Sequence, residues 1–339
     1  LTGVSGNAAN GNGGGIAHAA FSSDLTNIFA LTAHGNVSKG TGGAIDVDGA
    51  AGLTLGDSTL TDNDAIAQGG GVAIRNTPTT IERTRIAANS SGAVGAGIYA
   101  FENENPGMGV LIDTSLVTAN SGPSAAVFAA TNLPTEIHNS TVSGNATVGV
   151  GASGGTDLEL TFATVVDNAG GNVSTASGDL IAAASVVADP DGGPNCTIGG
   201  ATISGGSNAD TDGSCGLAAV TDQPNLGTVA LGTLADNGGP TDTHALLVAS
   251  PLRDAVQPGS CAGVVTDQRG TTRPQGVACD IGAYEATVLP VAGLMWEHIA
   301  KLGVVTFPIT ELVDFGDLTP DPASLRVVEQ PGVGTVAVE

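Results

Sequence analysis

Aromatic side chains are scarce in this 339-residue chain: one Trp, two Tyr and seven Phe, 3% in all. A core built with so few rings has to be filled by small aliphatics. Bases are scarce too, nine Lys and Arg against 33 Asp and Glu, for a net charge of −24. A surface of that sign repels nucleic acid and anionic lipid, so no nucleic-acid partner is expected. No apolar run approaches the ~18 residues of a membrane span. No C-x-x-C occurs, which argues against a thiolate metal site. No secretion signal is visible at the N-terminus. The chain starts at Leu1 rather than Met, so removal of an upstream segment is the expectation.

What is abundant is glycine, 52 residues, and aliphatic residues, with hydrophobics at 41%. This is no disorder composition, because Val, Ile and Leu are plentiful. It fits a β-rich fold with many tight turns.

Two signatures recur. Glycines lead into an aliphatic strand at Gly13-Gly14-Gly15-Ile16, Gly42-Gly43-Ala44-Ile45, Gly69-Gly70-Gly71-Val72 and Gly95-Ala96-Gly97-Ile98, with weaker copies at Ala125-Ala126-Val127 and Gly149-Val150-Gly151. Between them, short strands of Ser or Thr alternating with aliphatics end in Asn at positions 7, 36, 63, 89, 120, 145 and 168. The Asn spacings are 29, 27, 26, 31, 25 and 23, and the glycine signature keeps nearly the same uneven rhythm. The two are parts of one unit of roughly 26 residues, a period that reads as a solenoid. The leucine-rich frame L-x-x-L-x-L-x-x-N is missing. The pattern predicts a parallel β-helix with coils about 4.8 Å apart, internal aliphatic ladders, and stacked Asn side chains sharing hydrogen bonds.

Glycine-rich turns can also cradle phosphate. Such a loop occurs once, between a strand and a helix; here the motif recurs and precedes strands. The glycines are therefore read as corners and as places where coils approach closely, some with positive φ.

From about Gly178 the rhythm changes. Four cysteines fall late, Cys196, Cys215, Cys261 and Cys279. Their order suggests the local pairs Cys196–Cys215 and Cys261–Cys279, although three pairings can be drawn, and disulfides place the chain in an oxidising compartment. LADNGGPTDTHALL (Leu234–Leu247), Ser250-Pro251, DQRG (Asp267–Gly270), Arg273-Pro274 and DIGAYE (Asp280–Glu285) follow. Together with the repeat, this block resembles the choice-of-anchor Q family, secreted bacterial surface proteins with right-handed parallel β-helix repeats. The resemblance covers roughly residues 1–286. It implies an exported, surface-associated protein with a C-terminal anchor, and it supplies no catalytic residue. One departure is Leu252-Arg253-Asp254-Ala255-Val256, where the family has an acidic-glycine ending after Ser-Pro.

The reading divides the chain into coils over 1–178, terminal coils and a disulfide-containing cap over 179–286, a linker over 287–303 and a partial module over 304–339. The cap is expected to cover the apolar last coil. Arg269 and Arg273 are expected to form a buried structural cluster with Asp267, Asp280 and Glu285. The ending SLRVVEQPGVGTVAVE resembles the opening strands of cadherin-like or Ig-like surface modules. Such a module needs ~90–100 residues, more than remain here. Either the chain was cut there, or the missing strands come from elsewhere, and donation between identical subunits would give a fibre.

A glycosidase needs two carboxylates ~5–9.5 Å apart. Asp46 and Asp48 alternate on one strand face, with Asp62 and Asp64 one coil later. A lyase also needs a base, and before residue 250 there are only Lys39, Arg75, Arg83 and Arg85; Tyr99 is the one Tyr or Trp there. No catalytic residue is assigned. Calcium is the only cofactor considered, with Asp189, Asp191, Asp210 and Asp212 in two Asp-rich turns as ligand candidates against an ordinary Asx-turn role. His18, His34, His138, His244 and His298 show no metal-triad spacing. A Thr ice-binding ladder fails, because only Thr59 and Thr61 fit. The expectation is an exported, non-enzymatic structural or adhesive rod that contacts identical subunits or surface polysaccharide. The alternative is a carbohydrate-binding or carbohydrate-cleaving β-helix.

Overall fold

The computed structural model describes residues 2–287, apart from 20–23, 103–106, 258, 260 and 262, together with the strand pair Val291–Ala292 and Val313–Asp314. The chain divides into two compact units, Leu1–Ala286 and Thr287–Glu339.

The first unit is an all-β parallel solenoid of about eight coils. One coil shows the plan. Leu31–His34 lies in a first sheet, Val37–Ser38 in a short corner sheet, Ile45–Asp48 in a second sheet and Gly52–Gly56 in a third. The same order repeats, so the first sheet has nine strands, the second and third eight each and the corner sheet four. Pairing in these four sheets is parallel and, apart from a bulge at Ala182–Ala183, in register: Val72 lies between Ile45 and Ile98, and Ile81 between Leu55 and Ile112; the one antiparallel strand pair among the described residues of this unit joins Leu231–Ala235 to Thr243–Leu246. Alternation along each strand sends one aliphatic set inward. Leu60, Ile86, Val117, Val142, Val165 and Val187 line the core from the first sheet. Each fully buried aliphatic contributes about 1.5–3 kcal/mol.

The glycines have two separate tasks. Gly69 holds a left-handed φ of +70°, which opens the turn. Its neighbour Gly70 presses on the next coil. A Cβ there would lie 2.2 Å from the Ser90 carbonyl oxygen and 2.3 Å from that of Ala96. Where the third sheet runs into the first, the left-handed residue is not glycine: Asp57, Arg83, Thr114, Asn139, Phe162 and Ala184 all have φ between 45° and 51°.

The Asn column forms as the repeat predicts. Each Oδ1 accepts from both the backbone N–H and the Nδ2 of the Asn one coil earlier, from Asn7 through Asn36, Asn63, Asn89, Asn120 and Asn145 to Asn168, and side chain meets side chain at 2.7–3.0 Å. Each Nδ2 from Asn36 to Asn168 also donates to a main-chain carbonyl of the coil before, as Asn120 does to Ile86 at 3.0 Å. The column then sidesteps to Asn172, 2.9 Å from Asn168, and continues to Asn195. A second column of hydroxyls at the other corner links Leu31 N–H to Ser58, Ser58 to Thr84, Thr84 to Ser115 and Ser115 to Ser140.

The cap does more than close the last coil. Residues 207–228 meet that coil, with Cys215, disulfide-bonded to Cys196, and Leu217 both in the main core. The segment from Val229 to Ala286 instead runs back along the outside of the first sheet. Thr141 Oγ1 donates to Gln268 Oε1 at 2.6 Å, Ser143 Oγ meets His244 Nε2 at 2.7 Å, and Arg85 reaches Asp242 at 2.7 Å. A second core of Phe162, Val166, Val186, Val229, Leu246, Leu252, Ile281 and the Cys261–Cys279 disulfide fills the gap. This explains why Thr141–Ser143 and Thr164–Val166 are buried on both faces, whereas Leu31–His34 alternates buried and exposed. The outward residues of the later coils are small or apolar, so a flank, as well as an end, needed cover.

In the second unit, Val291–Ala292 pairs antiparallel with Val313–Asp314. Apart from Thr287 and these two strands, the linker and partial module expected over 287–339 lie outside the described residues, as does His298.

Candidate functional site

The residues singled out from sequence do not converge on one place. Asp210 is fully buried and accepts three backbone N–H groups, from Gly213 and Asn225 on Oδ1 and from Cys215 on Oδ2. Asp212 accepts from the backbone and the side chain of both Asn195 and Ser214, at 2.6–3.0 Å. Burial raises its pKa, but these hydrogen bonds outweigh it and the net shift is downward. Asp189 and Asp191 are exposed in the preceding turn. Burial and the neighbouring Asp167 raise the Asp189 carboxyl. Among the described residues, no three His, Cys, Asp or Glu side chains are grouped to hold a metal ion.

Asp62 sits 3.2 Å from His34, and Asp64 accepts from Ser90 Oγ at 2.5 Å, both at the corner after the first sheet. They are separated from Asp46 and Asp48, which face outward on the second sheet. There the structure gathers a cluster. Arg75 pairs in register with Asp48, one coil on. Its Nη2 and Nη1 donate to Asp46 Oδ1 and Oδ2 at 2.9 and 3.1 Å, its Nε to Asp48 at 3.2 Å, and its Nη1 also to Thr41 at 2.6 Å. Thr41 donates to Asp46 at 2.5 Å. Asp46 is 4% exposed. Burial raises its pKa, with the Thr41 hydrogen bond and the Arg75 charge opposing. An arginine stays protonated, so Arg75 itself cannot act as a proton acceptor here.

Register carries the row past the cluster. Outward from Asp46 the positions run Ala73, Tyr99, Phe128 and Gly151, with Phe101 beside Arg75. Tyr99, Phe101 and Phe128 are half-buried and stacked: the Tyr99 centroid lies 6.2 Å from Phe101 at 7° and 6.5 Å from Phe128 at 14°. Among the described residues no protein group hydrogen-bonds the Tyr99 hydroxyl. Counting Tyr and Trp alone missed this site. The 29-residue step from Tyr99 to Phe128, equal to that between Ile98 and Val127, was the signal that could have found it.

The other two arginines of the coils are also paired: Arg83 with Asp57 and Glu82, and Arg85 with Asp242. His138 meets Asp113 at 2.7 Å. The C-terminal Arg–carboxylate cluster forms as expected. Arg273 and Glu285 are fully buried and 2.9 Å apart, and Arg269 meets Asp267 at 2.7 Å. Arg273 also lies over the Phe162 ring and donates to the Asn139 side chain, so the cluster clamps the returning segment to the solenoid. Burial pushes Asp280 up to about 6.

Residues 4–187, more than half of the chain, match the family model described as the right handed beta helix region. Comparisons with curated proteins and with solved structures return no match.

Proposed function

We propose that this chain, which belongs to the right-handed β-helix family, is a stiff extracellular rod with a structural or adhesive role at a cell surface. The observation that carries this reading is the unbroken polar column from Asn7 to Asn195, which ties every coil to the next through buried side-chain hydrogen bonds. Eight coils at about 4.8 Å each span roughly 38 Å. Such a stack resists bending, because opening any step leaves buried amides unpaired. Two disulfides support an oxidising location. The terminal signature over Leu234–Glu285, with its likeness to exported surface proteins, supports the same reading. Strand exchange through residues 304–339 would join rods into a fibre.

Immunogold electron microscopy of intact producing cells tests the location. Gold on the outer surface is the expected result; gold confined to the cytoplasm would overturn the proposal. Electron microscopy of the purified chain then separates regular fibres, which mean assembly through the C-terminal strands, from isolated short rods, which mean a stalk.

A further inference from the structure

We infer that the outward face of the second sheet around Tyr99, Phe101 and Phe128 binds an uncharged glycan chain. Three stacked rings left partly exposed form an apolar patch in a protein with few rings to spare, and such patches with polar rims mark binding surfaces. On the first sheet, by contrast, outward apolar side chains such as Val166 and Val186 are buried under the returning segment. Along the row the rings are flanked by Ala73 on one side and Gly151 on the other. Ala73 adds only a methyl group, and the Phe128 ring leans over Gly151, 3.4 Å from where a Cβ would stand. A pyranose presents C–H faces that pack on aromatic rings, and hydroxyls that need partners at the edge. The Tyr99 hydroxyl has no protein partner among the described residues, and the Asp48 carboxylate is only partly occupied, by Arg75 and Asn76.

Charge decides the class of glycan. The one cation at the patch, Arg75, is held by Asp46, Asp48 and Thr41 and is not free to meet a uronate. A net charge of −24 also repels polyanions. The ligand is therefore a neutral hexose or N-acetylhexosamine polymer. This site is independent of the rod reading: a monomeric stalk and a fibre subunit would both carry it.

The test is affinity electrophoresis of the full chain through gels containing hydroxyethylcellulose, galactomannan, glycol chitin, polygalacturonate or chitosan. Retardation in at least one neutral gel is expected, insensitive to 0.5 M NaCl. Tyr99→Ser or Phe128→Ser should weaken it about tenfold, consistent with loss of one stacked ring. Ile66→Ser, which removes an exposed apolar side chain at a corner away from the patch, should leave it unchanged. Circular dichroism confirms that each variant is folded. The inference falls if no neutral gel retards the protein, if only a charged polymer does, or if the Tyr99 and Phe128 variants bind as well as the parent.

Discussion

Asn120→Ala tests the polar column at its midpoint. In the native chain Asn120 Oδ1 accepts from the Asn89 backbone N–H at 2.9 Å and from Asn89 Nδ2 at 3.0 Å, while its own Nδ2 donates to Asn145 Oδ1 and to the Ile86 carbonyl, both at 3.0 Å. Truncation does not harm all four partners equally. Asn145 Oδ1 keeps the Asn120 backbone N–H at 2.9 Å, and a carbonyl such as Ile86 tolerates a lost donor better than an N–H tolerates a lost acceptor. The real cost falls on Asn89, whose backbone N–H and one amide hydrogen are left buried without acceptors. At about 1–3 kcal/mol for each orphaned donor, the loss is about 2–6 kcal/mol. Asn7→Ala is the matched control. Asn7 is exposed at the end of the column, and its truncation orphans no buried donor, so less than about 1 kcal/mol is expected. Urea unfolding followed by far-ultraviolet circular dichroism reads both, through the shift in midpoint at constant slope. Equal losses for Asn7→Ala and Asn120→Ala would refute the reasoning, because the column would then be decoration on a stack held by aliphatics alone.

Gly70→Ala should abolish cooperative unfolding or soluble expression, since its Cβ would strike main-chain oxygens at 2.2 and 2.3 Å. Gly11→Ala, with nothing within 4 Å, should be neutral by thermal melting. Asp280 has a folded pKa raised by burial to about 6 from 3.8, so the folded state holds the proton more tightly and stability from this group falls as pH rises between about 4 and 6. Asp280 Oδ1 and Oδ2 each accept a backbone N–H, from Asp254 and Ala286, which an amide cannot both receive, so the test is made on the parent: the Asp280 carboxyl carbon should titrate in NMR near the raised value of about 6, and an ordinary carboxylate midpoint would refute the assignment. Replacing Cys196 and Cys215 together with Ala, which opens a loop with a sequence separation of 19, should cost about 3 kcal/mol by calorimetry, and a cost near zero would mean that the end of the solenoid is held without the bridge.

The coil plan was legible because each coil asks the same task of the same position. An Asn that closes a buried column must be Asn in every turn, and a glycine that touches the next coil must stay small, so both leave a periodic trace. The path of the returning segment left no such trace. Gln268 meets Thr141 127 residues away and His244 meets Ser143 101 away, and contacts of that kind occur once. The shift of the column from Asn168 to Asn172 was hidden for a related reason: both residues sit within one coil, and only the corner geometry decides which one faces the next. The left-handed corners at Asp57, Arg83 and Thr114 were missed because no glycine marks them. The aromatic patch was half legible. Its rings sit at equivalent coil positions, but a count of Tyr and Trp passes over Phe, and on an alternating strand Phe128 faces out while Val127 faces in.

The polar columns also have a direction, and it accounts for Asp212 in the second Asp-rich turn better than composition does. Every step of the Asn column donates toward the C-terminal coil and accepts from the N-terminal one. The last member therefore presents a backbone N–H and an amide hydrogen with no further Asn to receive them. Another amide at that point would need its own acceptor and would only move the problem along. A carboxylate ends it, because it accepts on both oxygens and has nothing to donate. Asp212 fills this place, taking the Asn195 N–H at 2.9 Å and its Nδ2 at 3.0 Å. The corner column of hydroxyls resumes at Ser185, whose N–H is received by Asn208, and it ends in the same way: Asp222 Oδ1 accepts the Asn208 N–H and Nδ2 at 3.0 and 3.1 Å. Two columns and two terminal carboxylates put the acids just beyond the last coil, where buried donors would otherwise be stranded.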